Sequence, residues 1–252
     1  MDAVRMVQAF SSGSPEYHRS FKIFLDHTDQ KAKALEWLRG RIEQLARRER
    51  LIDAGAGNGM LTSWLTDRFD DVIAIEPNPS LVEELRGNCP QATVVAVPIL
   101  KADPPFADCV VCSHVFYYIP RPEWNENAAR LVGWLKPGGF LAICIQNPNT
   151  DCMRMVDHFI GGRFDLSKLT HIPELSDRGR FHVAIDTVRA SIRTQTLQSA
   201  CQAAEFVLNV LPISSPPRWS DLEDYVSDKF QRAENEFEFS CDQDFLHVTR
   251  LA

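Results

Sequence analysis

In the stretch "LIDAGAGNGM", Leu51 to Met60, an acid at Asp53 is followed by glycines at Gly55, Gly57 and Gly59. Glycines in this pattern let a ligand lie against the backbone, because a side chain there would block it, and they admit the positive φ that a tight turn can demand. Asp53 adds a carboxylate able to accept a hydrogen bond from, or pair with, the cationic amino-acid end of a ligand. A second acid, Glu76, closes "DVIAIE", and an acid at a strand end commonly holds both hydroxyls of a ribose. Two acids thus converge on a nucleoside. The dinucleotide fingerprint G-x-G-x-x-G asks for glycine where this chain has Met60, which disfavours nicotinamide or flavin chemistry.

The elements that must carry these groups follow from hydrophobic patterning. Leu51 and Ile52 read as a buried strand, Met60 to Leu65 as a helix start, "DVIAI" as a second strand, and "ATVVAV" (92–97) and "DCVVCSH" (108–114) as a third and fourth. A helix over about 122–135 then leads into "LKPGGFLAICIQ" (135–146), where Pro137-Gly138-Gly139 turns into another buried strand. Strand and helix in alternation predict a parallel sheet with helices on both faces. Ahead of it, Leu35, Leu38, Ile42 and Leu45 recur at helical spacing within Lys31–Arg50, with basic residues between them on a solvated face.

Taken together, "LIDAGAGNG", the acid in "AIEPNP" and "LKPGGFLAI" resemble the class I S-adenosylmethionine-dependent methyltransferases over roughly residues 48–146. The resemblance implies a Rossmann-like, seven-stranded, mostly parallel α/β sheet, with S-adenosyl-L-methionine as cofactor and S-adenosyl-L-homocysteine as product. It places the methionine end over Asp53 and Gly55 to Gly59, the ribose on Glu76 with Pro77 beside it, and adenine near Ile99 and Leu100, with Ser113 at the fourth strand's end. Many members carry an acid after the third strand to meet the adenine amine. This chain reads "VPIL" there, which leaves backbone groups, apolar packing or nearby Asp103 to do that work.

Asp103-Pro104-Pro105-Phe106 looks like the catalytic tetrapeptide of nucleic-acid amino-methyltransferases. In those enzymes it follows the fourth strand, whereas here it precedes that strand. The expected role is therefore a proline-stiffened loop with Phe106 plugging the core. The segment in the catalytic place is "SHVFYY", Ser113 to Tyr118.

The N-terminal run "EYHRSFKIFLDHTDQ" and "FYYI" further resemble histamine N-methyltransferase. That resemblance implies substrate contacts at Gln30, His114, Tyr117, Tyr118 and Gln243, with amides or histidine where that family has Glu, Gln and Asn. Replacing a carboxylate by Gln30 removes a negative charge. An uncharged nitrogen heterocycle suits these residues better than histamine, with His114 able to accept a proton, and the expected reaction is N-methylation of a nitrogen heterocycle or amine metabolite. His114 as a scaffold histidine and Tyr117 or Tyr118 as packing residues are the competing readings, although neighbouring tyrosines cannot both enter one core. A small-molecule O-methyltransferase is the nearest alternative function; a nucleotide-dependent oxidoreductase or a non-catalytic cofactor-binding subunit lies further off.

Bulk properties agree with an enzyme of small molecules. A net charge of −7 over 252 residues argues against a phosphate-tracking surface and hence a nucleic-acid partner. No apolar run is long enough to span a membrane, and the N-terminus, with Asp2, does not read as a secretory signal. Seven scattered cysteines suggest reduced thiols in a cytoplasm. Cys109 and Cys112 form a C-x-x-C with no second pair or spaced histidines, so no metal is expected. Residues 1–252 read as a single domain, either monomeric or homodimeric. Its parts are an N-terminal helical cap (1–47), the cofactor-binding core (48–146), a helical substrate lid (147–193), and a C-terminal helix with the last strands (194–252). In that final part Thr194 is the expected helix cap, "FVLNVLPISS" the penultimate strand and Ser220–Asn235 an acidic helical region.

Overall fold

The computed structural model describes residues 4–10, 14–177, 179–211 and 213–252; the readings that involve Asp2 and Pro212 lie outside them. In chain order the elements are α1 (Pro15–His27), α2 (Gln30–Glu43), β1 (Arg50–Ala54), α3 (Met60–Leu65), β2 (Asp71–Ile75), α4 (Pro79–Asn88), β3 (Thr93–Val95), β4 (Ala107–Ser113), α5 (Trp124–Gly133), β5 (Leu135–Gln146), α6 (Asp151–Phe159), β6 (Phe181–Val188), β7 (Ser191–Thr194), α7 (Leu197–Leu208), α8 (Trp219–Phe230), β8 (Gln231–Ala233), β9 (Glu236–Ser240) and β10 (Gln243–Arg250). They divide into two compact units: Met1–Glu36, Gln146–Asp165 and Thr187–Gln243 form one, and Trp37–Ile145, Leu166–Asp186 and Asp244–Ala252 the other.

The second unit is built on a seven-stranded sheet of order β3-β2-β1-β4-β5-β10-β6. β1 pairs in parallel with β2 and β4, β2 with β3, and β4 with β5. Its central strands are apolar on both faces, as a sheet covered on both sides requires: Leu51, Ile52 and Ala54, Cys109 to Cys112, and Leu141 to Ile145 are all at most 1% exposed. Pro137-Gly138-Gly139 does not precede β5 but lies within it, where the register with β4 shifts between Ala107 and Cys109. The expected mostly parallel seven-stranded fold is the one observed.

The first unit packs α1 on α7 through Phe21 and Phe24, whose rings lie 5.3 and 4.9 Å from that of Phe206. Ser14 caps α1 by accepting from the Tyr17 N–H at 3.1 Å. A three-stranded sheet of order β7-β9-β8 completes this unit, with Phe230 stacked on Phe239 at 4.4 Å.

Five local expectations are corrected. The stretch expected to be a helical cover supplies α6, but it also supplies β6 at the edge of the large sheet and β7 in the small one. Its "HVAIDTV" segment is only half-buried along most of its length, so its apolar content is too thin to announce a sheet strand. Phe206 to Leu208 end α7 rather than opening a strand, since a short apolar run does not by itself separate buried helix from strand. The cap of α7 is Thr196, which accepts from the Ser199 N–H at 3.1 Å, while Thr194 closes β7. The helix expected over Lys31–Arg50 stops at Glu43, and the acidic helical region is α8 followed by β8.

Candidate functional site

At the carboxyl end of β1 the chain turns sharply and is pinned to β2, with the Gly55 and Ala56 N–H groups donating to the Ile75 carbonyl at 2.7 and 3.0 Å. Gly55, Gly57 and Gly59 all have positive φ, at 84°, 57° and 86°, as the sequence anticipates, but they are glycines for different steric reasons. A Cβ on Gly55 would come within 2.2 Å of Val115 Cγ2, and one on Gly59 would meet Leu85 and Cys89. A Cβ on Gly57 would meet nothing within 4 Å. Gly57 is therefore the position of the three that borders open space.

Glu76 borders that space, and Asp53 lies buried at the end of the neighbouring strand. Glu76 is 7% exposed; its Oε2 accepts from the Gly57 N–H and its Oε1 from the Asn78 N–H, each at 2.9 Å. A carboxylate has about four lone-pair sites, so capacity for hydroxyl donors remains. Asp53, 1% exposed, accepts from the Thr62 hydroxyl at 2.6 Å. Burial lifts its pKa to about 6 and the charge of Glu76 adds to the rise, while the Thr62 hydrogen bond opposes it. An open Gly57 and two buried acids at the ends of adjacent strands fit a nucleoside with a cationic amino-acid tail. Of the other residues assigned to the cofactor, Ile99 is buried, Leu100 and Ser113 are half-buried, and Pro77 is exposed.

After β4 the chain enters the left-handed region at His114, φ 60°, a conformation that L side chains other than Asn, Asp and His seldom adopt. The His114 N–H donates to the Cys144 carbonyl at 2.8 Å, and its ring stacks on Tyr117 at 5.8 Å and 27°. Tyr117 is buried, while Tyr118 is 59% exposed. The expectation that two adjacent tyrosines cannot both enter the core holds.

Gln30 and Gln243 lie in the first unit, each 1% exposed. The Gln30 side chain donates from Nε2 to the Cys241 carbonyl at 2.7 Å. Asp103 pairs with Arg130 at 3.1 Å, with its side chain 92% exposed. Phe106 is 59% exposed, so it is no core plug; the loop holds its shape through the prolines and through Arg50, which donates to the Phe106 carbonyl at 3.1 Å. Cys109 and Cys112 are fully buried on β4, where burial raises both thiols. Among the described residues no group of three His, Cys, Asp or Glu side chains could hold a metal ion, and no helix is long and apolar enough to cross a membrane. Sequence reasoning passed over Thr62 and Val115. The hydroxyl of Thr62, in the helix directly after the glycine loop, was a readable signal, whereas the contact of Val115 with Gly55 was not.

A family model for a methyltransferase domain matches residues 26–209. An uncharacterized methyltransferase of Mycobacterium bovis is 30% identical over 113 residues, which is 44% of this chain and 43% of that protein. Another, of Exiguobacterium sibiricum, is 33% identical over 76 residues, 30% of this chain and 36% of that protein. The matched regions thus span less than half of these relatives. Among solved structures, a candidate methyltransferase of Bacillus halodurans C-125 superposes with a TM-score of 0.62 at 14% identity, covering 86% of this chain and 99% of that one. The magnesium protoporphyrin IX methyltransferase of Synechocystis PCC 6803, solved with bound S-adenosylmethionine, gives 0.54 at 13% identity, covering 96% and 86%. At such identities the likeness is one of fold.

Proposed function

Since the chain belongs to the methyltransferase-domain family, we propose that it methylates a nitrogen of a small heterocycle or amine, with S-adenosylmethionine as the methyl donor. The observation that carries the cofactor reading is the grouping of Asp53, open Gly57 and Glu76 at the ends of two adjacent parallel strands. Bound there, the cofactor would supply a methyl group on its sulfonium for displacement by the acceptor's lone pair, with S-adenosylhomocysteine as the leaving group. Asp53 holds the amino-acid end, Glu76 the ribose hydroxyls, and Ile99 and Leu100 an apolar seat for adenine. Enzymes of this kind contribute alignment and exclusion of water more than covalent chemistry.

His114 is the proposed proton acceptor and Tyr118 the exposed aromatic surface against which an acceptor ring stacks, with Tyr117 supporting the imidazole from behind. The left-handed backbone at His114 sets its side chain apart from the run of β4 and is compatible with this assignment. Gln30 and Gln243 enter the substrate reading through the resemblance to histamine N-methyltransferase alone. The acidic chain favours a small acceptor over a nucleic acid.

Titration calorimetry with S-adenosylhomocysteine tests the cofactor half. Incubation with S-adenosylmethionine and a panel of amines, phenols and azaheterocycles, read by mass spectrometry, tests the acceptor half. N-methylated products are expected. Methylation of phenols alone would overturn the nitrogen assignment, and absence of homocysteine-cofactor binding would overturn the whole reading.

A further inference from the structure

Asp53 is a buried acid, and the influences on it among the described residues are burial, one hydrogen bond and the like charge of Glu76. Cys89, Cys109 and Cys112 also feel the Asp53 charge, and burial raises all three thiols, which keeps them neutral near physiological pH. Among the described residues, the charged form of Asp53 is stabilised by the Thr62 hydroxyl, 0% exposed, on the first turns of α3. A hydroxyl has a single proton to donate, and a separation of 2.6 Å is that of a charge-assisted O–H···O bond.

We propose that Thr62 is a positioning residue for the cofactor: its hydroxyl holds the Asp53 carboxylate in place and in its charged form, so that binding of a cationic amino-acid tail and ionisation of Asp53 are coupled. The proposal rests on the assignment of Asp53 to the cofactor's amino end. Without ligand, the buried acid retains a proton up to about pH 6. An ammonium brought beside it expels that proton, which leaves for solvent as the ion pair forms. Thr62 sets how far into the neutral range this exchange extends. Valine at the same position keeps the volume and removes the donor; serine restores the donor.

The test uses S-adenosylhomocysteine, whose amino group is charged and which lacks the sulfonium, titrated calorimetrically from pH 5 to 8 into the wild type, Thr62→Val and Thr62→Ser. In the wild type the affinity should rise up to tenfold per pH unit below about pH 6 and level off above it. At pH 5.5, titrations in two buffers of different ionisation heat should show protons released on binding. Thr62→Val should move the levelling point upward, and Thr62→Ser should return it. Affinity that is flat from pH 5 to 8 in the wild type overturns the coupling, as does a Thr62→Val profile that superposes on it. The melting temperature of the ligand-free proteins gives a readout independent of the cofactor. A folded-state pKa raised above the unfolded value contributes stability that is present at low pH and is lost as pH rises through about 6 in the wild type, and through a higher pH in Thr62→Val. If the homocysteine cofactor binds at no pH while the melting profiles shift as stated, the cofactor assignment has failed and the hold of Thr62 on Asp53 stands. If binding occurs and the melting profiles coincide, the Thr62 inference has failed and the cofactor assignment stands. Should Thr62→Val not fold, Thr62→Ala, which also removes the donor, takes its place in both the binding and the melting profiles.

Discussion

Replacing Gly57 by alanine separates ligand binding from folding in a way that its neighbour Gly55 does not permit. Both residues sit at positive φ, so alanine at either costs about 1–2 kcal/mol of backbone strain. At Gly57 nothing is within 4 Å of the added methyl, so strain is the whole cost. At a loss of about 2–4 °C per kcal/mol in a domain of this size, the melting temperature should fall by about 2–8 °C. At Gly55 the methyl would lie 2.2 Å from Val115 Cγ2 and 3.2 Å from its Cβ, so rotating the valine moves the nearest methyl away but leaves the Cβ in tight contact. Overpacking of this kind adds about 1–3 kcal/mol, for a total of about 2–5 kcal/mol and a fall of about 4–20 °C. Affinity should show the opposite ranking. Gly57→Ala should weaken S-adenosylhomocysteine binding at least tenfold, about 1.4 kcal/mol, because its methyl occupies the space assigned to the ligand. Gly55→Ala combined with Val115→Ala should recover much of the stability lost by Gly55→Ala alone, a non-additivity expected for residues in contact. Scanning fluorimetry and calorimetry on the same preparations read both quantities. Wild-type affinity in folded Gly57→Ala would refute the assignment of this loop to the cofactor, and a stability loss as large as that of Gly55→Ala would refute the open-space argument.

Asp103→Ala removes a solvent-exposed pair with Arg130, so stability should change by less than about 1 kcal/mol and turnover by no more than a few-fold; loss of turnover with intact cofactor binding would return the Asp-Pro-Pro-Phe loop to catalysis. Gln30→Glu sets a carboxyl group against the Cys241 carbonyl that the amide now serves. The new acid should keep its proton to make that bond, so its pKa is raised, and stability near wild type at pH 5 should be lost towards pH 8 by about 1–3 kcal/mol, read as melting temperature against pH. Tyr117→Ala should destabilise strongly, because the ring is buried against His114, whereas Tyr118→Ala should leave the melting temperature within about 2 °C and lower kcat/KM for aromatic acceptors. Equal turnover in Tyr118→Ala and wild type would remove Tyr118 from the substrate surface.

The residues that lie in a continuous strand, loop and helix were legible because their constraint is local. Asp53 lies at the end of β1, the three glycines share positive φ in the loop that follows it, and Glu76 directly follows the next strand, so their types report that backbone geometry directly. Long-range constraints left no such trace. Gly55 is required by Val115, sixty residues away along the chain. Phe106 looks like a core residue by type, yet it stands in solvent because the loop that carries it is held through backbone groups. β6 went unread because an edge strand needs fewer apolar residues than a central one, and the helix end at Phe206 to Leu208 because a short apolar run suits either structure.

The strand order β5-β10-β6 carries a consequence for assembly. β10 lies between two strands that both precede it in the sequence, and the intervening chain from Thr187 to Gln243 belongs to the other unit. During synthesis on the ribosome β5 must wait with one edge unpaired, and β6 has no seat in the sheet, until Gln243–Arg250 has emerged. The large sheet is therefore closed by a late insertion at an interior position rather than by growth at its rim. Loop closure over such separations is slow. Premature termination before β10 would leave two open strand edges exposed to other chains, making the nascent protein most prone to aggregation just before its last strand is available.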